Sequence, residues 1–503
     1  MNLLTDRWIP LRDKSGFRQI RYQDLLCEEH DGQVSLPRDD MELACLQLII
    51  CLTQVMFMPP DIRALRARIK SPLTVSEFEG ETKKYLAWFD VDHPETPFMQ
   101  IKDTEAKEVT PIQKLFVGLP AGHNHAFFND TEEMRTVCAG CAAIALFNQN
   151  SSSPNISGKH KGGLRGSAPI TTFVVGNTLR ETVWCNVLTL DYVSKVFPNY
   201  QKQKDDDKPT WVKPITSKST IQENQIGLLR GLFWLPIHIR LYREEQEGVC
   251  DSCGSAVGSA YRDFKLGSDF KFAVNGQWPH PHSPRIWNIK KQQRIEKYLS
   301  FTTTAPAWTQ LNECLIQHEQ QGKQGHIPAA VVSQFSEVMP DAPLHLKIGG
   351  YRNRQASILQ RRHELFSIAL GWDKNLQRLR ALIETALEYK ELLRDKLYLA
   401  DKGDKKRRLK GIGAGVHKAA EELYYQLSEE LLHETLRSMN FREFTTTRDR
   451  LLDRLSDIAL EVFKQVTTPY THKPELIPII AISRRDLEEA LKRMKKGAAQ
   501  HVQ

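Results

Sequence analysis

The chain has nine cysteines, and four of them form two Cys-x-x-Cys pairs, Cys138-Ala-Gly-Cys141 and Cys250-Asp-Ser-Cys253, more than a hundred residues apart. A two-residue gap lets one turn present both sulfurs to a single ion, and two such pairs make up the ligand set of a tetrahedral thiolate site. The expectation is one structural zinc site with Cys138, Cys141, Cys250 and Cys253 as ligands, stapling two distant parts of the chain. A disulfide, or plain buried thiols, are the competing readings. A long chain with an odd cysteine count and no apolar signal segment points to a reducing compartment, where disulfides are rare. Catalytic zinc is the weaker alternative, because a catalytic site keeps one position open for water or substrate.

Between the two pairs lies Ser157-Gly-Lys-His-Lys-Gly-Gly-Leu-Arg-Gly166. Its small residues permit close backbone approach and its cations can neutralise phosphates, although a solvated surface loop has the same composition. Phe127, Phe128 and Asn129 precede the first pair; an aromatic beside an amide suits contact with an unstacked base, and core packing is the other reading, favoured for Phe128. Gly349-Gly-Tyr-Arg-Asn-Arg-Gln355 fits a hairpin tip that projects Asn353, Arg354 and Gln355 into a partner. Lys290-Lys291, Lys405 to Arg408 and Arg484-Arg485 are basic runs whose default meaning is a solvated face. His280 and His282 invite a metal reading, but the prolines at 279, 281 and 284 hold that segment extended and no His-Glu-x-x-His spacing occurs. Walker loops, Gly-x-Ser-x-Gly elbows and kinase signatures are also missing, so the sequence offers no support for an enzyme.

The elements that position these groups follow from periodicity. At 503 residues the chain has room for two or three domains. Its apolar content of 41% and charged content of 26% are those of a globular protein, and a net charge of +8 is mild support for a polyanionic partner. The longest apolar stretch, Leu43 to Met58, is too short and too interrupted to span a bilayer, so a cytoplasmic protein is expected. That stretch reads as a buried helix, started by acidic residues and stopped by Pro59-Pro60. Amphipathic helices are expected at 61–69 and 75–88, and residues 198–220 as a mobile polar loop. Thr171 to Val175 and Thr182 to Leu190 fit either strand or buried helix, and Phe270 to Gly276 fits a strand closed by an Asn-Gly turn. Beyond residue 370 the apolar spacing becomes helical. Four amphipathic segments, the first two separated by Lys405 to Arg408 and the glycines at 411, 413 and 415, predict an antiparallel four-helix bundle. The fold class expected is α+β: a mixed α/β domain over 1–370 carrying the four-cysteine zinc site, then a C-terminal four-helix bundle over 371–503.

Many of these segments, including MNLLTDRWIP, LPRDDMELA, CAGCAAIALFNQ, GLRG, RGLFWLP, FAVNGQWPHPHSP, FTTTAPAWTQ and GGYRNRQASILQRRH, closely resemble the CasA family, the large subunits of the type I-E CRISPR surveillance complex Cascade. The resemblance implies the same two-domain order and a non-enzymatic, DNA-inspecting role. Such subunits read a protospacer-adjacent motif (PAM) in duplex DNA from the minor groove, begin R-loop formation, and help recruit a helicase-nuclease for antiviral defence. Guide RNA with its 5′ handle and subunits of CasB, CasC, CasD and CasE type are the other implied partners, with no membrane and no small-molecule substrate. Residue by residue, the resemblance places the first recognition loop on Phe127 and Asn129 and the glycine loop on Gly158, Lys159 and His160. Most of the family's glycine run is replaced here, which implies that Lys159 or His160 changes the motifs accepted. The family's motif-contacting lysine falls on an acidic position, so Lys265 or Lys271 substitutes for it. Lys290 and Lys291 match basic positions along the duplex path, and the strand-separating wedge maps onto Asn353, Arg354 and Gln355. The altered glycine loop also motivates a second reading, a structural scaffold subunit that no longer reads the PAM.

Overall fold

Asp39, Asp40 and Glu42 in its first turn favour the start of helix α1 (Asp39–Met56), because acidic groups complement the positive end of the helix dipole. The structure, a computed structural model, describes residues 1–119, 133–157, 159–354 and 357–500. It divides into two compact units, one made of Met1–Thr302, Gln317–Pro340 and His345–Leu365, the other of Thr303–Ile316, Asp341–Leu344 and Phe366–Gln503.

In the first unit, β1 (Arg7–Asp13) and β2 (Gly16–Arg21) form an antiparallel hairpin. Helix α1 is buried on nearly all sides and packs on α2 (Ala139–Ser151), whose residues Ala142 to Phe147 are fully buried. Each leucine- or phenylalanine-sized side chain so buried is worth about 1.5–3 kcal/mol, which makes this helix pair a rigid base for Cys138 and Cys141. Three further sheets carry or border the candidate residues. One has β3 (Val109–Pro111) and β5 (Ile239–Glu244) on either side of β6 (Ala260–Leu266). Another orders β8 (Gln293–Tyr298), β7 (Arg285–Lys290), β10 (Gln324–Ile327) and β9 (His318–Gln320). The third places β11 (Leu344–Arg354) between β12 (Ser357–Ile368) and the buried β4 (Thr171–Val174).

Thr171–Val174 is thus a strand, whereas the next apolar segment forms a helix over Leu179–Cys185, capped by Thr178. The helices expected near 61–69 and 75–88 appear as Ile62–Lys70 and Val75–Thr82, the second continuing as a 3₁₀ turn. Two expectations are corrected. Residues 198–220 stay largely exposed but are anchored: Trp211 is buried and its Nε1 donates to the Trp88 carbonyl at 3.0 Å, while Asp207 accepts from the backbone N–H groups of Leu229 and Arg230 at 2.7 and 3.0 Å. The run Phe270 to Gly276 is strand only over Ala273–Asn275, which pairs in parallel with Thr220–Gln222; Phe270 and Phe272, on one face of the preceding stretch, stack with centroids 5.4 Å apart, and Gly276 turns with φ 84°.

The second unit contains α3 (Leu376–Lys402), α4 (Val416–Ser438), α5 (Phe444–Thr467) and α6 (Ile477–Gln500). α3 packs against the other three, and α4 on α5 and α5 on α6, around Leu379, Ile383, Leu397, Leu432, Leu455 and Leu487. Lys405 to Arg408 and the glycines lie in the α3–α4 connection, where Gly403, Gly413 and Gly415 take positive φ. Among the described residues no helix is long and apolar enough to cross a membrane.

Candidate metal centre and nucleic-acid interface

The two cysteine pairs meet. Cys138 caps the start of α2, and its Sγ accepts from the Cys141 N–H at 3.4 Å. Cys250 and Cys253 sit on the small hairpin of Gly248–Val249 and Ala256–Val257, in a turn closed by the Gly254 N–H to the Cys250 carbonyl at 2.8 Å, with Gly254 at φ 75°. The Asp251 carboxylate accepts from the N–H groups of Arg135 and Thr136 at 2.8 and 2.7 Å, which docks this hairpin on the segment leading into α2. The four sulfurs lie within 4.8 Å of one another, Cys138 Sγ to Cys253 Sγ being 3.9 Å, and all four cysteines are free.

A disulfide requires about 2.05 Å between sulfurs, whereas an ion about 2.3 Å from each of four sulfurs sets them about 3.8 Å apart. The donor set therefore fits one tetrahedral ion, supported by the Cys138 N–H to Cys250 Sγ at 3.3 Å. Contacts with neighbouring thiols, Cys138 first, hold Cys250 and Cys253 below the ordinary thiol range, while Cys141 is pushed well above it by Cys138. Only a cation lets all four be thiolates together.

Of the residues expected to meet nucleic acid, Phe127, Asn129, Gly158 and Gln355 lie outside the described residues. Lys159 is exposed. Both ring nitrogens of His160 are engaged: Nδ1 with the Ser157 hydroxyl at 2.6 Å and Nε2 with the Gly267 carbonyl at 2.9 Å. That clasp brings the glycine loop to the segment bearing Lys265 and Lys271. Lys265 lies opposite Arg240 across the β5–β6 pair, a like-charge neighbour that disfavours the pairing, and its ammonium is 5.4 Å from the Tyr242 ring centroid. Lys271 is exposed, and its carbonyl accepts from the Lys218 N–H.

Lys290 and Lys291 belong to a different element, the exposed turn between β7 and β8, where Lys291 and Gln292 adopt φ of 48° and 61°. A two-residue turn with both central φ positive normally takes Asn-Gly, so non-glycine residues here are strained. The Ile289 N–H donates to the Lys323 carbonyl at 2.8 Å, so the exposed Lys323 of the β9–β10 hairpin shares this end of the sheet, a cation that no local motif marks. Asn353 and the exposed Arg354 end β11. Gly349 is not at the tip but inside the strand, where a Cβ would come within 2.6 Å of Leu43 Cδ2.

His280 and His282 are buried neutral rings, not ligands of the cysteine cluster. His282 Nδ1 accepts from Gln47 at 3.4 Å and Nε2 donates to the Asn186 carbonyl at 3.3 Å; burial, then the nearby Arg165 charge, lowers its pKa to about 3.

A mixed α+β unit with a four-thiol knuckle and a second unit of four long helices define the architecture. The chain belongs to the CRISPR-associated protein Cse1 family, whose model matches residues 2–462. Its fold is that of the Thermus thermophilus CasA (Cse1) structure, with a TM-score of 0.74 at 17% identity over 98% of this chain and 99% of that one. Thermobifida fusca Cse1 matches at a TM-score of 0.76 and 15% identity, covering 98% of each chain. A chain of a CRISPR RNA-guided surveillance complex matches at 0.69 and 15% identity, over 97% of this chain and 99% of that one.

Proposed function

We propose that this chain is the DNA-inspecting large subunit of an RNA-guided type I-E Cascade complex. It reads the PAM as duplex, starts strand opening so that the guide RNA can test the target, and recruits the helicase-nuclease without catalysis of its own. Membership of the Cse1 family over residues 2–462 carries the reading. Supporting it, the His160 clasp joins the two segments that bear Lys159, Lys265 and Lys271. Phosphate contacts by such exposed lysines position the duplex, and base edges in the minor groove are read degenerately, so several motifs are accepted. Cys138, Cys141, Cys250 and Cys253 hold a structural zinc ion, which supplies a cross-link and no chemistry. The protein works in the cytoplasm beside the guide RNA, the other Cascade subunits and target DNA.

The test is binding of the reconstituted complex to a duplex library with a randomised motif, repeated with Lys159, His160 and Lys265 each replaced by alanine. The reading requires a discrete set of motifs that shifts in at least one variant. Uniform binding favours the scaffold reading, a subunit that no longer inspects DNA.

A further inference from the structure

Residues 165–169 run from the glycine loop along the turn end of β11, beside Gly350 to Asn353, and each is held there. Arg165 is buried, yet its six acceptors are all neutral: the Ser151 carbonyl at 2.9 Å, Thr171 Oγ1 and Ser283 Oγ at 2.8 Å, Gln47 Oε1 and Ser151 Oγ at 3.0 Å, and Ser152 Oγ at 2.9 Å. Burial lowers its pKa to about 10, so it remains a cation at neutral pH. A buried charge without a carboxylate partner is a poor stabilising device, and what it provides here is geometry, because one rigid fork gathers four separate segments.

The next residues continue the constraint. Gly166 and Ala168 take φ of 73° and 53°, and Ala168 is fully buried against Val117 and Tyr351. A left-handed alanine persists only where its surroundings over-determine it, and such positions concentrate at functional sites. Tyr351 is itself pinned, donating to Asp40 Oδ2 at 2.9 Å and accepting from Asn148 at 2.7 Å. Pro169 bridges to Ser300, and its carbonyl lies so near Gly350 that a Cβ there would be 2.9 Å away. Between these anchors the exposed Ser167 hydroxyl accepts from Asn353 Nδ2 at 2.9 Å.

We propose that residues 165–169 are a positioning strut: Arg165 fixes it in the core, and Ser167, through Asn353, sets the wedge hairpin in register with the glycine loop. Arg165 and Ser167 are thus positioning residues that touch no DNA themselves. Their role rests on the function proposed above, in which the chain reads the motif and starts strand opening, and on the wedge that the family resemblance maps onto Asn353, Arg354 and Gln355.

The experiment uses the reconstituted complex with Ser167→Ala, Ser167→Thr and Arg165→Lys. Two quantities are measured: affinity for a PAM duplex mismatched to the guide, which cannot open, and the opening rate of a matched duplex carrying 2-aminopurine beside the motif. Ser167→Ala is expected to keep affinity within about twofold and to slow opening roughly three- to tenfold, the net effect of one lost hydrogen bond. Ser167→Thr, which keeps the hydroxyl, restores the rate. Arg165→Lys, which keeps the charge and loses the fork, slows opening like Ser167→Ala. Wild-type opening by Ser167→Ala, or a Ser167→Thr variant as slow as it, overturns the strut. A wild-type complex that opens DNA without regard to motif overturns the function on which the strut rests, and the strut with it.

Discussion

Replacing Cys253 by serine removes one of four sulfurs that lie within 4.8 Å of one another, and with it the ion they are built to hold. More than a hundred residues separate Cys141 from Cys250, so the ion closes a long loop. A cross-link over about 100 residues removes about 4.7 kcal/mol of unfolded-chain entropy. The first unit has roughly 350 residues, and at about 2.1 cal/mol/K per residue its unfolding entropy is about 0.7 kcal/mol/K, which converts the loss to a Tm drop of roughly 6 °C. The assay pairs metal analysis by plasma mass spectrometry with calorimetry on wild-type, Cys253→Ser and a Cys27→Ala control. One zinc per wild-type chain, none in Cys253→Ser and a drop confined to that variant are expected. Wild-type protein without stoichiometric metal, or Cys253→Ser with an unchanged Tm, refutes the reasoning.

The remaining expectations concern acid, salt and the glycine loop. His282 titrates near 3 in the fold against 6.5 for a free imidazole, and His280 is likewise lowered by burial, so between those values the unfolded chain binds more protons. Stability therefore falls as pH drops below about 6.5, by up to about 1.4 kcal/mol per pH unit per histidine; urea midpoints at pH 7 and 5 check it, and His282→Gln should flatten the dependence. Replacing Lys290 and Lys291 by alanine should reduce the slope of log affinity against log salt by about 2 for duplex binding, about 0.9 per phosphate contact; an unchanged slope removes them from the duplex path. Gly163→Ala would bring a Cβ to 2.2 Å from the Asn150 carbonyl, forcing the loop to shift, so motif discrimination should weaken in the library assay while the zinc content stays at wild type.

The cysteine centre and the helical C-terminal region could be read from sequence because each depends on a local rule. Ligand pairs need a two-residue gap, and α3 to α6 repeat their apolar residues at helical spacing. The anchoring of residues 198–220 is not visible locally, because lysines and aspartates surround Trp211 and Asp207, whose partners, Trp88 and the helix start near Leu229, are remote in sequence. Gly349 and Gly350 suggested a hairpin tip when their role is to let β11 pass close to Leu43 and Pro169. His160 reads from the sequence as one of two residues that change the motifs accepted, and only the fold shows the carbonyl of Gly267 against its ring. The strut of residues 165–169 was not legible at all, since GLRG carries no sign that its arginine points inward to Gln47 and Ser283.

The central claim, that this chain couples a duplex motif to strand opening, meets its most direct test in real-time opening of a guide-matched target by the reconstituted complex, with and without this subunit and with and without the preferred motif. Fast opening is expected only when subunit and motif are both present. Motif-dependent opening that survives removal of the subunit, or opening by the full complex that ignores the motif, would contradict it.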